Sequence, residues 1–320
     1  MYLFEKSTGA INEVILGAVS ESGGTRAYTL TVGGEGCLPY QSYEGANPNR
    51  TLIAAEVWDY EPTEWPRALR EVWGDALKDP ASWAKASIDA GADMIYLKLL
   101  SSDPDNGGRS PEECSASVGE VLKAVGCPIA VAGCGVIEYD RPLIAKISSD
   151  HAGENLLIGL AGQENYATYA AACVSGGHCL IASSPLDINL CKQTNILISE
   201  MNMPTNRIVI DPSIGGLGYG LEYAYSVLER GRLGALGGDK MLAMPVIGFI
   251  GAEAWKAKEA LAPEDDFPGW GSGETRGVLW ETITATSLMQ SGIDILVMRH
   301  PEAMKTVKSQ IEDLMQPVQA

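Results

Sequence analysis

The sequence predicts an α/β fold, and three observations carry that expectation. Eight short runs rich in Ile, Val and Leu recur along the 320 residues, apolar on both faces, as strands buried between a core and a helical layer are. A helical stretch follows each run, so strand and helix alternate throughout. Gly, Ser and Asp punctuate the turns between them. Eight such units favour a closed (β/α)8 TIM barrel over an open doubly wound sheet, here with an N-terminal β-hairpin extension.

Residues 1–50 stand outside the repeat. Gly9–Val19 and Thr25–Val32 alternate imperfectly around Ser22-Gly23-Gly24, which predicts a hairpin that closes the N-terminal mouth of the barrel. The stretch Gly33–Arg50 is rich in Gly, Pro and Asn and reads as a loop. The barrel itself is expected over 51–320, in one domain overall. Its strands are expected at Leu52–Val57, Met94–Leu99, Ile129–Ala132, Leu156–Leu160, Cys179–Ala182, Ile208–Ile210, Val246–Ile250 and Ile293–Val297.

The helices fit between them, at Pro80–Ala90, Pro111–Val125, Arg141–Ser148, Glu164–Val174, Asp187–Met201, Leu221–Leu228, Glu274–Gln290 and Pro301–Met315. Pro80 and Pro111 lie where a first turn has no use for an N–H. Ser110 followed by Glu113 is a capping-box pattern. Gly91, Gly126 and Gly292 follow helices closely, as C-terminal glycines do. Two connections are long: Asp59 to Asp79 after the first strand, and Gly251–Gly273 after the seventh. Long loops at the C-terminal mouth of a barrel are usually functional, as a lid or a docking surface.

Composition narrows the function. A net charge of −18 repels a polyanion, and no basic stripe offsets it, so nucleic acid is not expected as a partner. No apolar run is long enough to cross a membrane. Met1-Tyr2-Leu3-Phe4-Glu5-Lys6 has no basic segment followed by an apolar core, so no signal peptide and a cytoplasmic location are expected. The seven cysteines include no Cys-x2-Cys pair, the spacing that structural zinc and iron–sulfur clusters normally use. Small buried thiols in a reducing compartment are the expectation, with Cys134 set apart because it follows a strand.

The strand ends carry Asp59, Lys98, Ser101, Cys134, Ser183, Ser184, Asp211, Ser213, Glu253 and Arg299, the positions from which barrel enzymes draw their chemistry. No histidine cluster accompanies them: His151 and His178 precede strands, and only His300 lies at the other end. No metal site and no catalytic residue are therefore assigned. Lys98 is either a Schiff-base nucleophile, as in an aldolase-like lyase, or a structural charge near a strand end. Trp58, Trp65, Trp73 and Trp83 are expected to pack around the first long loop, and Trp270 to be more exposed.

The most informative segment is Arg207-Ile208-Val209-Ile210-Asp211-Pro212-Ser213-Ile214-Gly215-Gly216-Leu217-Gly218-Tyr219-Gly220, a short strand ending in Asp-Pro and a glycine-rich turn, followed by the helix expected from Leu221 to Leu228. The turn's N–H groups and the helix N-terminus suit a polar or anionic group. Asp211 is either a hydrogen-bond acceptor for a ring N–H or an amide, or an ordinary turn-stabilising aspartate.

Ile210-Asp211-Pro212-Ser213-Ile214-Gly215-Gly216-Leu217-Gly218-Tyr219-Gly220-Leu221-Glu222, with Gly91-Ala92-Asp93-Met94-Ile95-Tyr96-Leu97-Lys98 and Pro128-Ile129-Ala130-Val131-Ala132-Gly133-Cys134-Gly135, resembles the small subunit of the corrinoid iron–sulfur protein. Its archaeal relative is the delta subunit of the acetyl-CoA decarbonylase/synthase complex, and the likeness extends over roughly the whole chain. The resemblance implies a heterodimeric methyl carrier of anaerobic carbon fixation, in the Wood–Ljungdahl pathway of acetyl-CoA synthesis. Such a carrier accepts a methyl group from methyltetrahydrofolate through a methyltransferase and passes it to acetyl-CoA synthase. It also implies that a large partner subunit holds the 4Fe-4S cluster and most of the corrinoid (cobalamin). The barrel mouth would then meet the corrin through Ser183, Asp211, Ser213, Gly215 and Gly216. An autonomous pterin-dependent methyltransferase is the alternative.

Overall fold

Short apolar runs bury best as parallel strands covered on both faces, and the chain takes that solution. The computed structural model describes residues 6–316. The segment 1–5, within the stretch read above for a leader, lies outside the described residues. Eight parallel strands form the sheet: β3 (Leu52–Trp58), β4 (Met94–Lys98), β5 (Ile129–Ala132), β6 (Leu157–Ala161), β7 (Cys179–Ser183), β8 (Ile208–Asp211), β9 (Ile247–Gly248) and β10 (Ile295–Met298). Their order is β8-β7-β6-β5-β4-β3-β10-β9. A parallel bridge from Ile210 to Val246 joins the two edges, with the Ile210 N–H donating to the Pro245 carbonyl at 2.8 Å. The barrel is therefore nearly closed and leaves little unpaired edge.

The covering helices are α2 (Pro80–Asp89), α3 (Pro111–Ala124), α4 (Ile137–Asp150), α5 (Tyr166–Gly176), α6 (Ile188–Glu200), α7 (Leu221–Leu236), α10 (Gly273–Met289) and α11 (Pro301–Leu314). Three shorter helices sit in the two long connections: α1 (Arg67–Trp73), α8 (Ile250–Ala254) and α9 (Lys258–Leu261). The capping box of α3 is formed, with the Glu113 N–H on Ser110 Oγ at 3.3 Å and the Ser110 N–H on the Glu113 carboxylate at 2.8 Å.

Several elements differ from expectation. Helix α4 begins at Ile137, four residues before Arg141, with Pro142 inside it. The Asp140 carboxylate turns back to accept the N–H groups of Cys134 and Gly135, both at 2.9 Å, which ties the early turn to the preceding loop. Helix α7 continues past Leu228 to Leu236, through Gly231 and Gly234. Burial of Arg232, Ala235 and Leu236 outweighs the poor helix propensity of those glycines. Strand β9 has only two residues, because Ile250 already opens α8.

The N-terminal hairpin is shorter than the sequence pattern. Only β1 (Val14–Leu16) and β2 (Leu30–Val32) pair, antiparallel, with Val14 opposite Val32. Between them Arg26 is buried under the barrel, donating to the carbonyls of Leu122, Val125 and Cys127 at 2.6, 2.7 and 3.1 Å and to Glu154 at 3.2 Å. Val14, Leu16 and Val32 join Leu52, Met94, Ile181, Val209 and Ile295 in the cluster that fills the barrel. These three hairpin side chains thus pack against the apolar inward rows of the strands. Nearby, Arg232 bridges Glu35 at 2.9 Å and Asp294 at 3.0 Å, and Asp294 also accepts the Val246 N–H at 2.6 Å beside the short β9.

Candidate functional site

Side chains two residues apart on a strand share a face. Leu52 and Ala54 fill the barrel, so Glu56 and Trp58 continue the inward row of β3 towards its C-terminal end. Met94, Tyr96 and Lys98 form the same row on β4, and the register sets Glu56 beside Tyr96 and Trp58 beside Lys98. On the other side Ala55 pairs with Met298, which brings Arg299 next to Glu56. The mouth of the barrel is thereby built from charged and aromatic groups above an apolar core.

Glu56 is its electrostatic centre. Its carboxylate is buried and accepts from Trp58 Nε1 at 2.6 Å and from Arg299 Nε and Nη2, both at 2.9 Å. Lys98 Nζ stands 3.8 Å away. Burial acts most strongly on this carboxyl and raises it. The Arg299 and Lys98 charges and the hydrogen bonds from Arg299 and Trp58 together outweigh burial and hold it at about 2. Burial lowers Lys98 from the usual lysine range, and Glu56 opposes that. The Arg299 guanidinium also lies over the Trp65 ring, 4.7 Å from its centroid. Trp58, Trp65, Trp83 and Trp73 pack in succession, with centroids 5.1, 5.3 and 6.5 Å apart, around the first long connection as expected.

A cavity of about 500 Å³ opens at this mouth. Tyr96 and Phe249, with ring centroids 5.0 Å apart, line it with Leu160 and Ala132. Lys98, Cys134, Asp140, Asn165, Ser183 and Glu253 supply polar groups. The Asn165 side chain is engaged by its own loop, accepting from the Gly162 N–H at 2.7 Å and donating to the Leu160 carbonyl at 3.1 Å.

Of the residues expected to meet a ligand, Ser183 lines the cavity. Asp211 lies behind it on the neighbouring strand, 3% exposed, and accepts from Ser183 Oγ at 2.8 Å and from the Ser213 N–H at 2.9 Å. Burial raises the Asp211 carboxyl to about 6 against those hydrogen bonds. Ser213 holds the turn together by donating to the Ser184 carbonyl at 2.7 Å, at a φ of 56°. Gly215 and Gly216 are buried away from the cavity. A Cβ on Gly215 would meet the Tyr219 carbonyl at 2.5 Å, and one on Gly216 the Glu253 backbone at 3.3 Å. The Leu217 N–H of the same loop is taken by Thr284 Oγ1 at 3.2 Å. The structure thus joins Ser183, Asp211 and Ser213 in one hydrogen-bonded unit and uses the two glycines for close backbone packing.

The other candidates separate. Asp59 accepts from Ser101 through both the backbone N–H, at 3.1 Å, and the hydroxyl, beneath the first connection. His300 caps α11 by accepting the Glu302 N–H at 3.2 Å, and His178 Nδ1 accepts the Leu156 N–H at 3.1 Å. All seven cysteines are free, six of them buried and Cys134 half-buried. Trp270 is 41% exposed and stacks on Phe267 at 4.1 Å. Glu56, Tyr96, Asp140 and Phe249 were not singled out from the sequence. Glu56 did leave a signal, as the one charged residue in Leu52–Trp58.

The fold and site define a class: a parallel (β/α)8 barrel with a polar, ligand-sized mouth at the C-terminal strand ends. Solved dihydropteroate synthases share the fold. One from Xanthomonas albilineans with 4-aminobenzoic acid gives a TM-score of 0.55 at 14% identity, over 88% of this chain and 99% of that one. One from Thermus thermophilus gives 0.52 at 16% identity, over 87% and 98%. The sequence then narrows the class. The chain belongs to the CO dehydrogenase/acetyl-CoA synthase delta subunit family, whose model matches residues 13–316. The acetyl-CoA decarbonylase/synthase complex subunit delta of Archaeoglobus fulgidus is 36% identical over 310 residues, 95% of this chain and 68% of that protein. Subunit delta 1 of Methanosarcina thermophila is 35% identical over 319 residues, 98% and 72% respectively. The resemblance drawn from the three sequence segments holds along nearly the entire chain.

Proposed function

We propose that this chain is the small subunit of a two-subunit corrinoid iron–sulfur methyl carrier in the Wood–Ljungdahl pathway. Its barrel mouth shields a corrinoid held mainly by a large partner subunit, which also carries the 4Fe-4S cluster. The carrier takes a methyl group from methyltetrahydrofolate through a methyltransferase and delivers it to acetyl-CoA synthase, both as transient partners in the cytoplasm. The observation that carries this reading is the family match over residues 13–316, joined to an open mouth with a cavity of about 500 Å³.

The donor set suits a corrinoid's periphery. Hydroxyl, ammonium and carboxylate groups face the cavity. Among the described residues no group of three or more His, Cys, Asp or Glu is placed to hold a metal ion. Among them also, no helix is long and apolar enough to cross a membrane. When bound, the corrinoid supplies the metal that carries the methyl group, and this chain's part is to orient it and exclude water. Ser183 makes the direct contact, oriented by Asp211 and Ser213. Gly215 and Gly216 let the loop pack tightly beside it.

The test is size-exclusion chromatography with ultraviolet–visible detection, on this chain alone and mixed with a corrinoid-loaded large subunit. The expected result is a colourless chain that comigrates with the coloured partner. A chain that ignores the partner and binds methyltetrahydrofolate by itself is an autonomous methyltransferase, and the proposal falls.

A further inference from the structure

We propose that Glu35, Arg232 and Asp294 form a proton-dependent clasp, which fastens residues 33–50 to the barrel while Glu35 carries a proton and loosens them when it is ionised. The clasp lies at the N-terminal ends of the strands, away from the mouth, beside the seam where β8, β9 and β10 close the sheet.

Three separate elements meet there. Arg232 projects from α7, Asp294 immediately precedes β10, and Glu35 belongs to the segment between β2 and β3. All three side chains are buried. The guanidinium donates to Glu35 at 2.9 Å, to both Asp294 oxygens at 3.0 Å and to the Gly292 carbonyl at 2.8 Å. Asp294 also accepts the Val246 N–H at 2.6 Å, so its anionic form is well served by donors.

Two carboxylates face one guanidinium, which leaves a buried excess of one negative charge when both are ionised. The Glu35 and Asp294 carboxyls also hydrogen-bond each other. Carboxylates only accept, so that bond requires a proton on one of them. Asp294 holds the bidentate guanidinium and a backbone N–H, whereas Glu35 takes a single guanidinium N–H, which puts the proton on Glu35. Protonated Glu35 then accepts from Arg232 and donates to Asp294, and the cluster is neutral. Burial, followed by the Asp294 charge, raises the Glu35 carboxyl to about 7 against the Arg232 charge.

The neighbouring groups do not titrate in its place. Burial raises the Cys37 thiol and pushes Tyr40 up to about 12, so both stay protonated where Glu35 ionises. Glu44 adds negative charge beside Cys37. Arg50 is engaged by Asp93 at 2.6 Å, and Lys308 of α11 by the same carboxylate at 3.0 Å. Besides the clasp, the segment reaches its surroundings through the Tyr40 hydroxyl on Thr51 at 2.6 Å and the Ile11 N–H on the Glu35 carbonyl at 2.9 Å. Buried Met289 and Ile293 lie against it, and loosening uncovers them.

The sign follows from linkage. Glu35 binds its proton more tightly when fastened, at about 7, than when loosened and hydrated, near 4.5. Loosening is therefore least at low pH, grows as the pH rises towards about 7 and levels off above it.

The experiment is amide hydrogen exchange followed by mass spectrometry on the full chain at pH 5 and pH 8, each rate divided by the intrinsic rate at that pH. Wild-type peptides across 33–50 should lose protection at least roughly tenfold from pH 5 to pH 8, while those across α3 hold theirs within about threefold. Glu35→Gln keeps the shape, cannot ionise, and still accepts from Arg232 and donates to Asp294. Its protection across 33–50 should stay at the wild-type pH 5 level at both pH values. Equal wild-type protection at pH 5 and pH 8 overturns the clasp, and that comparison needs no variant. Weaker protection in Glu35→Gln than in wild type at pH 8 also overturns it, because Glu35 then holds the segment as an ionised partner of Arg232. A matching loss across α3 assigns the pH effect to the whole barrel and overturns it as well.

Discussion

Replacing Glu56 by Gln removes one buried charge and leaves two cations around it. The wild-type carboxylate, 2% exposed, is held by Arg299 through two hydrogen bonds of 2.9 Å and by Trp58 at 2.6 Å. Breaking a buried pair by deleting one partner costs about 3–5 kcal/mol, because the remaining charge stays desolvated. The carboxyl's own displacement, from 4.5 to about 2, corresponds to about 3 kcal/mol of stability. For a chain of 320 residues the unfolding entropy sets a shift of about 1.5 °C per kcal/mol. Glu56→Gln should therefore lower the unfolding midpoint by about 5–7 °C at pH 7.

The pH dependence follows from the direction of the shift. A carboxyl depressed in the folded state contributes its full stability above about 4.5 and loses it as the pH falls towards about 2. At pH 3 about 60% of the contribution is gone, so the gap between wild type and variant should shrink by more than half. The assay is urea unfolding followed by circular dichroism at pH 7 and pH 3. A loss below about 1 kcal/mol at pH 7, or an equal loss at both pH values, would refute the argument that Glu56 is an ionised centre of the mouth.

Two further outcomes test the rest of the mouth. Asp211 is displaced the other way, to about 6 from 3.8, so its folded form takes up a proton first and stability falls as the pH rises between those values, by at most about 3 kcal/mol. Asp211→Asn should remove that part of the slope in urea midpoints from pH 4 to 8, and a variant with the wild-type slope would contradict it. Gly133→Ala places a Cβ against the Asp140 carboxylate that holds the Cys134 and Gly135 N–H groups. It should cost about 1–3 kcal/mol by overpacking, and it should speed modification of the half-buried Cys134 by a thiol reagent. An unchanged rate and midpoint would show that the loop yields freely.

Much of the barrel was legible in the linear sequence because burial on both faces leaves an unmistakable residue pattern. Ile129–Ala132 begins and ends where expected, and Leu52–Val57 and Met94–Leu99 miss by one residue. The hairpin was legible in position but not in length, since alternation says nothing of Arg26 reaching under the barrel for three carbonyls. Helix α7 outran its expected end because tertiary burial overrides the local cost of Gly231 and Gly234.

The candidate site divides in the same way. Ser183, Asp211 and Ser213 could be named from their strand-end positions, and local chemistry makes them partners once β7 and β8 lie side by side. Glu56 and Tyr96 lie inside strands, where only the inward parity of the barrel and the register between β3 and β4 reveal that they face the mouth. Arg299 and Glu56 are distant in sequence and meet because β10 closes against β3. The sequence by itself determined the alternation of strands and helices, the absence of a strong metal-ligand pattern and the family. Only the tertiary structure decided which side chains share the mouth, how Glu56 stays charged, and that Gly215 and Gly216 pack against backbone. Local pattern governs which segments become strands and helices, whereas electrostatic coupling depends on distances that exist only once the barrel has closed.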